Sequence, residues 1–320
     1  MYTRWLAIGV RRDRLGLLRG IVTALVTPIT DSGDLDLKGL RELIDLQLGN
    51  GVVGFFILGT YGEGLSLHHE KRKRFVEKVA EYAGSKAVII NNVSSTSLEV
   101  GLELAKHSLD VGVANISLIP PLYYKTGVRE IVRYYKAFES LDVNIMIYNN
   151  PARVGVDIQP STLKSMLSDV SNIVGIKDST GLPDRIMELV TGFGKELHIA
   201  AASDSLLLEA FLYRADTHIC GICNAVPEIS DLMYKSIVMG DMEKAVKYKS
   251  LLMRIKGLAR EFQVEGLSIV KAILRLRGLS IGNPVPPIKG LSDSEMGKLR
   301  EILESILSDA GVSVELKRIL

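Results

Sequence analysis

Ser171-Asn172-Ile173-Val174-Gly175-Ile176-Lys177-Asp178 is a short apolar run that ends in a lysine, and the runs like it decide the fold. Others stand at residues 21–27, 52–58, 87–93, 114–119, 143–148, 197–202 and 217–222, so that one returns every 20 to 35 residues. Amphipathic stretches lie between them, at 37–48, 70–82, 97–109, 128–138, 161–167, 184–191 and 206–213. Strand alternating with helix predicts a parallel sheet with crossover helices. About eight such units is the count of a closed (β/α)8 TIM barrel. The alternative, an open doubly wound sheet, has about six strands and a glycine fingerprint after the first. Here the first run is followed by Thr27-Pro28-Ile29-Thr30-Asp31, without that fingerprint. Gly192-Phe193-Gly194-Lys195 fails the P-loop spacing, because Leu189 stands where the first glycine belongs and Glu196 follows the lysine. Neither a dinucleotide nor a nucleoside triphosphate is indicated.

The strand signal stops near Pro227. Helical stretches at 229–239, 242–260, 266–276 and 292–307 follow, broken by Asn283-Pro284-Val285-Pro286-Pro287. The expected division is an N-terminal extension over 1–19, the barrel with its active site over 20–240, and a C-terminal helical region over 241–320. The extension carries five arginines around Trp5-Leu6-Ala7-Ile8-Gly9-Val10, too short an apolar patch for a secretory signal, and reads as a segment ahead of the fold or a start-site artefact.

The totals describe an ordinary globular protein: 320 residues, 47% apolar and 24% charged. A net charge of +2 calls for neither a nucleic-acid nor a membrane partner, and no apolar stretch reaches the ~18 residues of a membrane span. A cytoplasmic location is the expectation. Cys220 and Cys223 make the pair Cys-Gly-Ile-Cys, but no second pair and no suitably spaced histidine accompany it. They read as buried core cysteines.

Lys177 is the residue that points to chemistry. An ammonium buried without a partner costs several kcal/mol, so an inward lysine is paired, out in water at a strand end, or employed. The employed form is an amine of lowered pKa that attacks a ketone to give a Schiff base. Strand alternation puts Ile173, Gly175 and Lys177 on one face and Val174 and Ile176 on the other. Gly175 would then leave room beside the amine, and Asp178 would face away. In a barrel, function collects at the carboxyl ends of the strands. Two more polar clusters fall there: Gly59-Thr60-Tyr61-Gly62-Glu63 after the second strand and Tyr148-Asn149-Asn150-Pro151 after the fifth. A phenol can shuttle protons at an imine, with a threonine hydroxyl relaying them. The amides of a glycine-flanked loop suit a carboxylate. Together these residue types describe a Schiff-base site for a 2-oxo acid.

The three segments Gly59–Glu63, Tyr148–Pro151 and Gly175–Asp178, in this order and spacing, resemble the signature blocks of the dihydrodipicolinate synthase / N-acetylneuraminate lyase family over roughly residues 20 to 300. The resemblance implies a barrel with a C-terminal helical part, a homotetramer or homodimer, and a class I lyase that works through a pyruvate imine without metal or cofactor. Its substrates would be small molecules, pyruvate and an aldehyde. Position by position, Lys177 resembles the imine lysine, Tyr148 its proton-transfer tyrosine, and Thr60 the threonine of the relay. Tyr123, in Pro120-Pro121-Leu122-Tyr123-Tyr124, matches the tyrosine that reaches a neighbouring subunit's site. Tyr61 takes the loop position whose backbone holds the pyruvate carboxylate, and Ile219 that of the residue packed on pyruvate. Arg153 matches the arginine with which the synthase branch binds the carboxylate of aspartate semialdehyde.

The chain also departs from the family pattern. Tyr61 stands where Thr or Ser is common, Asn91-Asn92-Val93-Ser94 replaces a glycine pair around a hydroxyl residue, and Ala202 precedes Ser203-Asp204 where glycine is usual. Leu122 stands where lysine-regulated synthases carry a second tyrosine, against feedback inhibition by lysine. Arg153 and Tyr123 favour the synthase. The altered loop keeps a 2-keto-3-deoxy sugar-acid aldolase as the alternative, ahead of a Schiff-base dehydratase and a non-catalytic 2-oxo-acid binding protein.

Overall fold

Each of the eight apolar runs becomes a strand. They are β1 (Gly20–Ala24), β2 (Gly54–Ile57), β3 (Val88–Asn92), β4 (Asn115–Leu118), β5 (Asn144–Asn149), β6 (Ile173–Asp178), β7 (His198–Ala201) and β8 (Thr217–Cys220). All are parallel where paired, in sequential order, and they close into a barrel. The fold is the (β/α)8 barrel. This computed structural model describes residues 11, 15, 16, 18–312 and 314–316, so most of the extension read at 1–19 lies outside the described residues.

The connecting helices are α1 (Leu37–Gly49), α2 (His69–Ala83), α3 (Leu98–Asp110), α4 (Val128–Lys136), α5 (Pro151–Val154), α6 (Pro160–Asp169), α7 (Pro183–Phe193), α8 (Leu207–Leu212) and α9 (Pro227–Val238). After them come α10 (Met242–Glu261), α11 (Gly266–Leu276) and α12 (Asp293–Ala310). Their starts follow from local chemistry. The Asp36 carboxylate accepts from the Gly39 amide at the head of α1, and Ser292 with Glu295 makes a capping box at α12. Pro160, Pro183 and Pro227 occupy first turns, where a missing amide hydrogen costs nothing. Among the described residues no helix is long and apolar enough to cross a membrane.

By packing, the chain forms two compact units, one built around Val88–Ile219 and one from Ile21–Ala87 with the residues from Cys220 on. In the first, strand residues Ile116, Leu118, Ile145, Ile147, Ile173, Ile176 and Ile199 pack against Leu163, Met166 and Leu189 of the helices. All of these are buried, and burying a side chain of this size stabilises by about 1.5–3 kcal/mol. In the second unit Asn224 joins the turn after β8 to β1. Its amide donates to the Ala24 and Gly221 carbonyls at 2.7 and 2.8 Å, and its oxygen accepts from the Val26 amide at 3.1 Å.

Three expectations are corrected. Ile173 does not share a face with Lys177, because the register shifts between Ile145 and Met146, where Ile145 pairs with Ile173 but Met146 with Gly175. The extra residue is Val174, and the bulge turns Ile173 to the helix side with Ile176. Gly175 leaves no room beside the amine either. A Cβ there would lie 2.6 Å from the His198 carbonyl oxygen, so the glycine serves close strand packing. Cys220 and Cys223 are fully buried, as expected, but bonded to each other. The eighth run ends at Cys220, and the 3-10 turn Ile222–Asn224 folds Cys223 back onto it.

Candidate active site

Lys177 is one residue from the carboxyl end of β6 and is 4% exposed, which removes the reading as a solvated strand end. Its register partner on β5 is Tyr148, so strand pairing alone sets the two side by side on the same face. The Lys177 Nζ lies 3.8 Å from the centre of the Tyr148 ring. Burial pulls the ammonium below its ordinary value of 10.5; contact with the Tyr148 phenol and the charge of Asp204 pull the other way and do not overcome it. The Tyr148 hydroxyl accepts a hydrogen bond from the Asn150 amide at 3.0 Å. Asp204 is 6% exposed and opens the 3-10 turn after β7, between Ser203 and Ser205, whose hydroxyls are 2.7 Å apart. The arrangement is a desolvated amine against a phenol, the pairing a Schiff-base nucleophile needs.

Behind this pair lies a network the sequence reading missed. Asn149 and Asp178, the next register pair, point to the opposite face, where the Asn149 amide donates to Asp178 at 2.9 Å and to Asp157 at 2.8 Å. Arg185 of α7 grips Asp157 with two hydrogen bonds of 2.9 and 3.0 Å and stands 3.8 Å from Asp178. Asp178 is fully buried. The network ties the ends of β5 and β6 together one residue beyond Tyr148 and Lys177, so it fixes where the amine and phenol stand. The available signal was that an Asp and an Asn follow the two reactive residues on the other face.

The Arg185 hydrogen bonds hold the Asp157 carboxyl below its ordinary 3.8, against burial. A depressed carboxylate contributes stability that is present above 3.8 and is lost as pH falls through the lower folded value. Asp157→Asn is therefore expected to lower the melting temperature at about pH 7 and to show a smaller deficit near pH 3. Thermal unfolding of both proteins at the two pH values checks this, and an equal deficit at both would contradict it.

Tyr123 is 89% exposed, has a left-handed backbone (φ 76°), and meets Tyr124 edge-on with ring centres 5.1 Å apart. Arg153 is exposed on α5, and Ile219 is buried in β8. These fall in the unit of Lys177 and Tyr148. Thr60 and Tyr61 belong to the other unit and are half-buried in the loop after β2. That loop is bounded by left-handed residues Leu58 (φ 57°) and Glu63 (φ 55°), and the Thr27 hydroxyl donates to the Gly62 carbonyl at 2.6 Å. Glu63 is buried against Lys271 of α11 at 2.5 Å. Nothing in the sequence nearby marks that pairing.

Comparison with known proteins agrees with the fold. The model of the dihydrodipicolinate synthetase family matches residues 17–306. The 4-hydroxy-tetrahydrodipicolinate synthase of Methanothrix thermoacetophila is 31% identical over 292 residues, 90% of this chain and 96% of that one. Among solved structures, the prophage protein YagE of E. coli K12, of the dihydrodipicolinic acid synthase family and in complex with pyruvate, has a TM-score of 0.84 at 26% identity, covering 91% of this chain and 99% of its own. A catalytic lysine mutant of the Ruminococcus gnavus sialic acid aldolase has a TM-score of 0.87 at 25% identity, covering 93% and 98%. With a family match across nearly the whole sequence and the barrel that goes with it, the chain belongs to the dihydrodipicolinate synthetase family.

Proposed function

We propose that the protein is a class I lyase whose Lys177 forms a Schiff base with pyruvate. The observation that carries this reading is the buried Lys177 ammonium, its pKa lowered by desolvation, 3.8 Å from the ring of Tyr148. The neutral amine adds to the keto carbon, and loss of water from the carbinolamine gives the imine. Loss of a methyl proton then gives the enamine, which attacks an aldehyde carbonyl; water finally releases the product from the lysine. Tyr148 and Thr60, with Tyr123, move the protons of these steps. The imine itself is the electron sink, so the reaction calls for no cofactor. The backbone at Tyr61 takes the pyruvate carboxylate and Ile219 packs on its methyl group. Tyr123, standing out from its own surface, is suited to complete a neighbouring subunit's site in a homodimer or homotetramer.

The acceptor we favour is aspartate semialdehyde, with Arg153 binding its carboxylate, which makes the protein a 4-hydroxy-tetrahydrodipicolinate synthase, the activity in the name of the Methanothrix relative. One observation favours the alternative, a 2-keto-3-deoxy sugar-acid aldolase. Asp204 with Ser203 and Ser205 forms a hydroxyl-binding type of cluster close enough for Asp204 to act on the Lys177 charge.

Borohydride reduction in the presence of pyruvate, read by intact mass and peptide mapping, tests the class. A pyruvate-sized adduct on Lys177 is expected, and none with folded protein and excess pyruvate would overturn it. Turnover with pyruvate plus aspartate semialdehyde, set against pyruvate plus glyceraldehyde, separates the two acceptors.

A further inference from the structure

We propose that His198 is a positioning residue for Lys177, its imidazole filling the floor beneath the amine and keeping water from it. The inference rests on the reading above, in which Lys177 attacks the keto acid as a neutral amine.

Strand register sets the geometry. Gly175 pairs with His198 and Lys177 with Ala200 along β6 and β7, and Ala200 pairs in turn with Thr217 of β8. Ile176 and Ile199, the residues between, pack with the helices, so Gly175, Lys177, His198, Ala200 and Thr217 share the opposite, inner face. Strands about 4.8 Å apart, with same-face residues about 6.6 Å apart, put Lys177 and His198 on a diagonal of about 8 Å between Cα atoms. Long side chains meet over that span. Neither strand puts a side chain between the two, because Gly175 has none and Ala200 has only a methyl group. A Cβ on Gly175 would lie 3.1 Å from His198 Cβ, so the histidine takes the place of a side chain under Lys177. Met146 flanks Gly175 on the β5 side and is 1% exposed, which makes that part of the floor apolar.

The imidazole is anchored on the side away from the amine. Its Nε2 lies 3.1 Å from the Thr217 hydroxyl and its Nδ1 4.0 Å from Asp216, whose carboxylate also accepts from the Ile199 amide at 3.0 Å. His198 is 2% exposed and Thr217 0%. Among the described residues of this unit, the titratable groups facing the amine are Tyr148, Asp204 and His198, and those facing the imidazole are Asp216 and Lys177. Burial is the largest influence on the Lys177 ammonium, so a gap beneath it that admits water would undo part of the lowering. A charged imidazole would lower the ammonium by repulsion instead. The two effects separate because leucine keeps the volume of histidine without its charge.

The test is pyruvate trapping with cyanoborohydride as a function of pH, on the full-length protein and on His198→Ala, His198→Val and His198→Leu. The readout is the pH midpoint of the rising limb, which does not change with the fraction of protein folded. His198→Ala is expected to move the midpoint up by about one pH unit, which slows trapping about tenfold at a fixed pH below the limb. His198→Val, with a smaller gap, should move it up by less. His198→Leu, which fills the space without a titrating group, should leave it in place. If the wild type traps pyruvate and neither smaller residue moves the midpoint, the inference is overturned while the Schiff-base reading stands. A midpoint in His198→Leu displaced as far as in His198→Ala overturns it too, because the imidazole would then act through its charge and not its volume. If the wild type traps no pyruvate at any pH, the Schiff-base reading is overturned and this inference with it.

Discussion

Lys177→Met is expected to abolish trapping of pyruvate and to lower turnover by about 10⁴-fold or more, the scale on which enzymes fail without their nucleophile. Methionine keeps most of the stem's volume and removes only the amine. Burial is the largest influence on this ammonium, so its removal relieves a desolvation cost, and the melting temperature is expected to hold or rise. Loss of chemistry without loss of fold is what distinguishes a nucleophile from a structural lysine. The wild-type pH profile gives a second readout. A lowered pKa leaves more neutral amine at a given pH, so the trapping rate should rise with pH along a limb centred below 10.5. The phenol raises the lysine's pKa, so Tyr148→Phe should move that limb to lower pH while slowing the reaction. A variant without the amine that still forms the adduct, or a limb at the position of a free lysine, would sink the assignment.

How much of this was legible in sequence depends on how far apart the interacting residues are. Strand and helix positions follow from local apolar period, and all eight runs appear within a few residues of their expected bounds. Lys177 and Tyr148 were legible because each ends a run and parallel pairing of neighbouring strands aligns run ends. The facing of Ile173 was not, because strict alternation holds only until a bulge, and the shift at Ile145 and Met146 has no local marker. The Asn149, Asp157, Asp178 and Arg185 network joins residues brought together only by the closed register of β5 and β6. Tyr61 was legible as a departure in size. Gly221 and Gly266, where a Cβ would lie 2.3 Å from the Tyr61 ring and 2.7 Å from its hydroxyl, are far along the chain, and each alone looks like an ordinary turn or helix-start residue. The partner of Glu63 was hidden for the same reason.

That partner carries the largest expected effect on stability. The Glu63 and Lys271 side chains are 0% and 1% exposed, with nitrogen and oxygen 2.5 Å apart. The second Glu63 oxygen accepts from the Val285 amide, and the Lys271 ammonium also donates to the Asn283 carbonyl at 3.2 Å. The pair thus pins a left-handed loop residue to α11 and to the proline-rich segment after it. Glu63→Ala removes one member and leaves a buried ammonium uncompensated, which costs about 3–5 kcal/mol. Replacing both by apolar residues, Glu63→Met with Lys271→Met, should recover part of that loss. It cannot recover all of it, since the Val285 amide is still left without its acceptor, at about 1–3 kcal/mol. Glu63→Gln isolates the charge, because the amide oxygen can still take the Val285 hydrogen bond. Burial already pulls the Lys271 ammonium below 10.5 against the Glu63 carboxylate, so losing that carboxylate lowers it further. Between the lowered folded value and 10.5 the unfolded chain holds a proton that the folded chain lacks, so stability rises with pH across that window. The deficit of Glu63→Gln should therefore be largest near neutral pH and narrow as pH approaches about 10, as urea unfolding across that range would show. A deficit that stays constant with pH would mean that the carboxylate acts through its hydrogen bond to Val285 and not through the buried charge of Lys271.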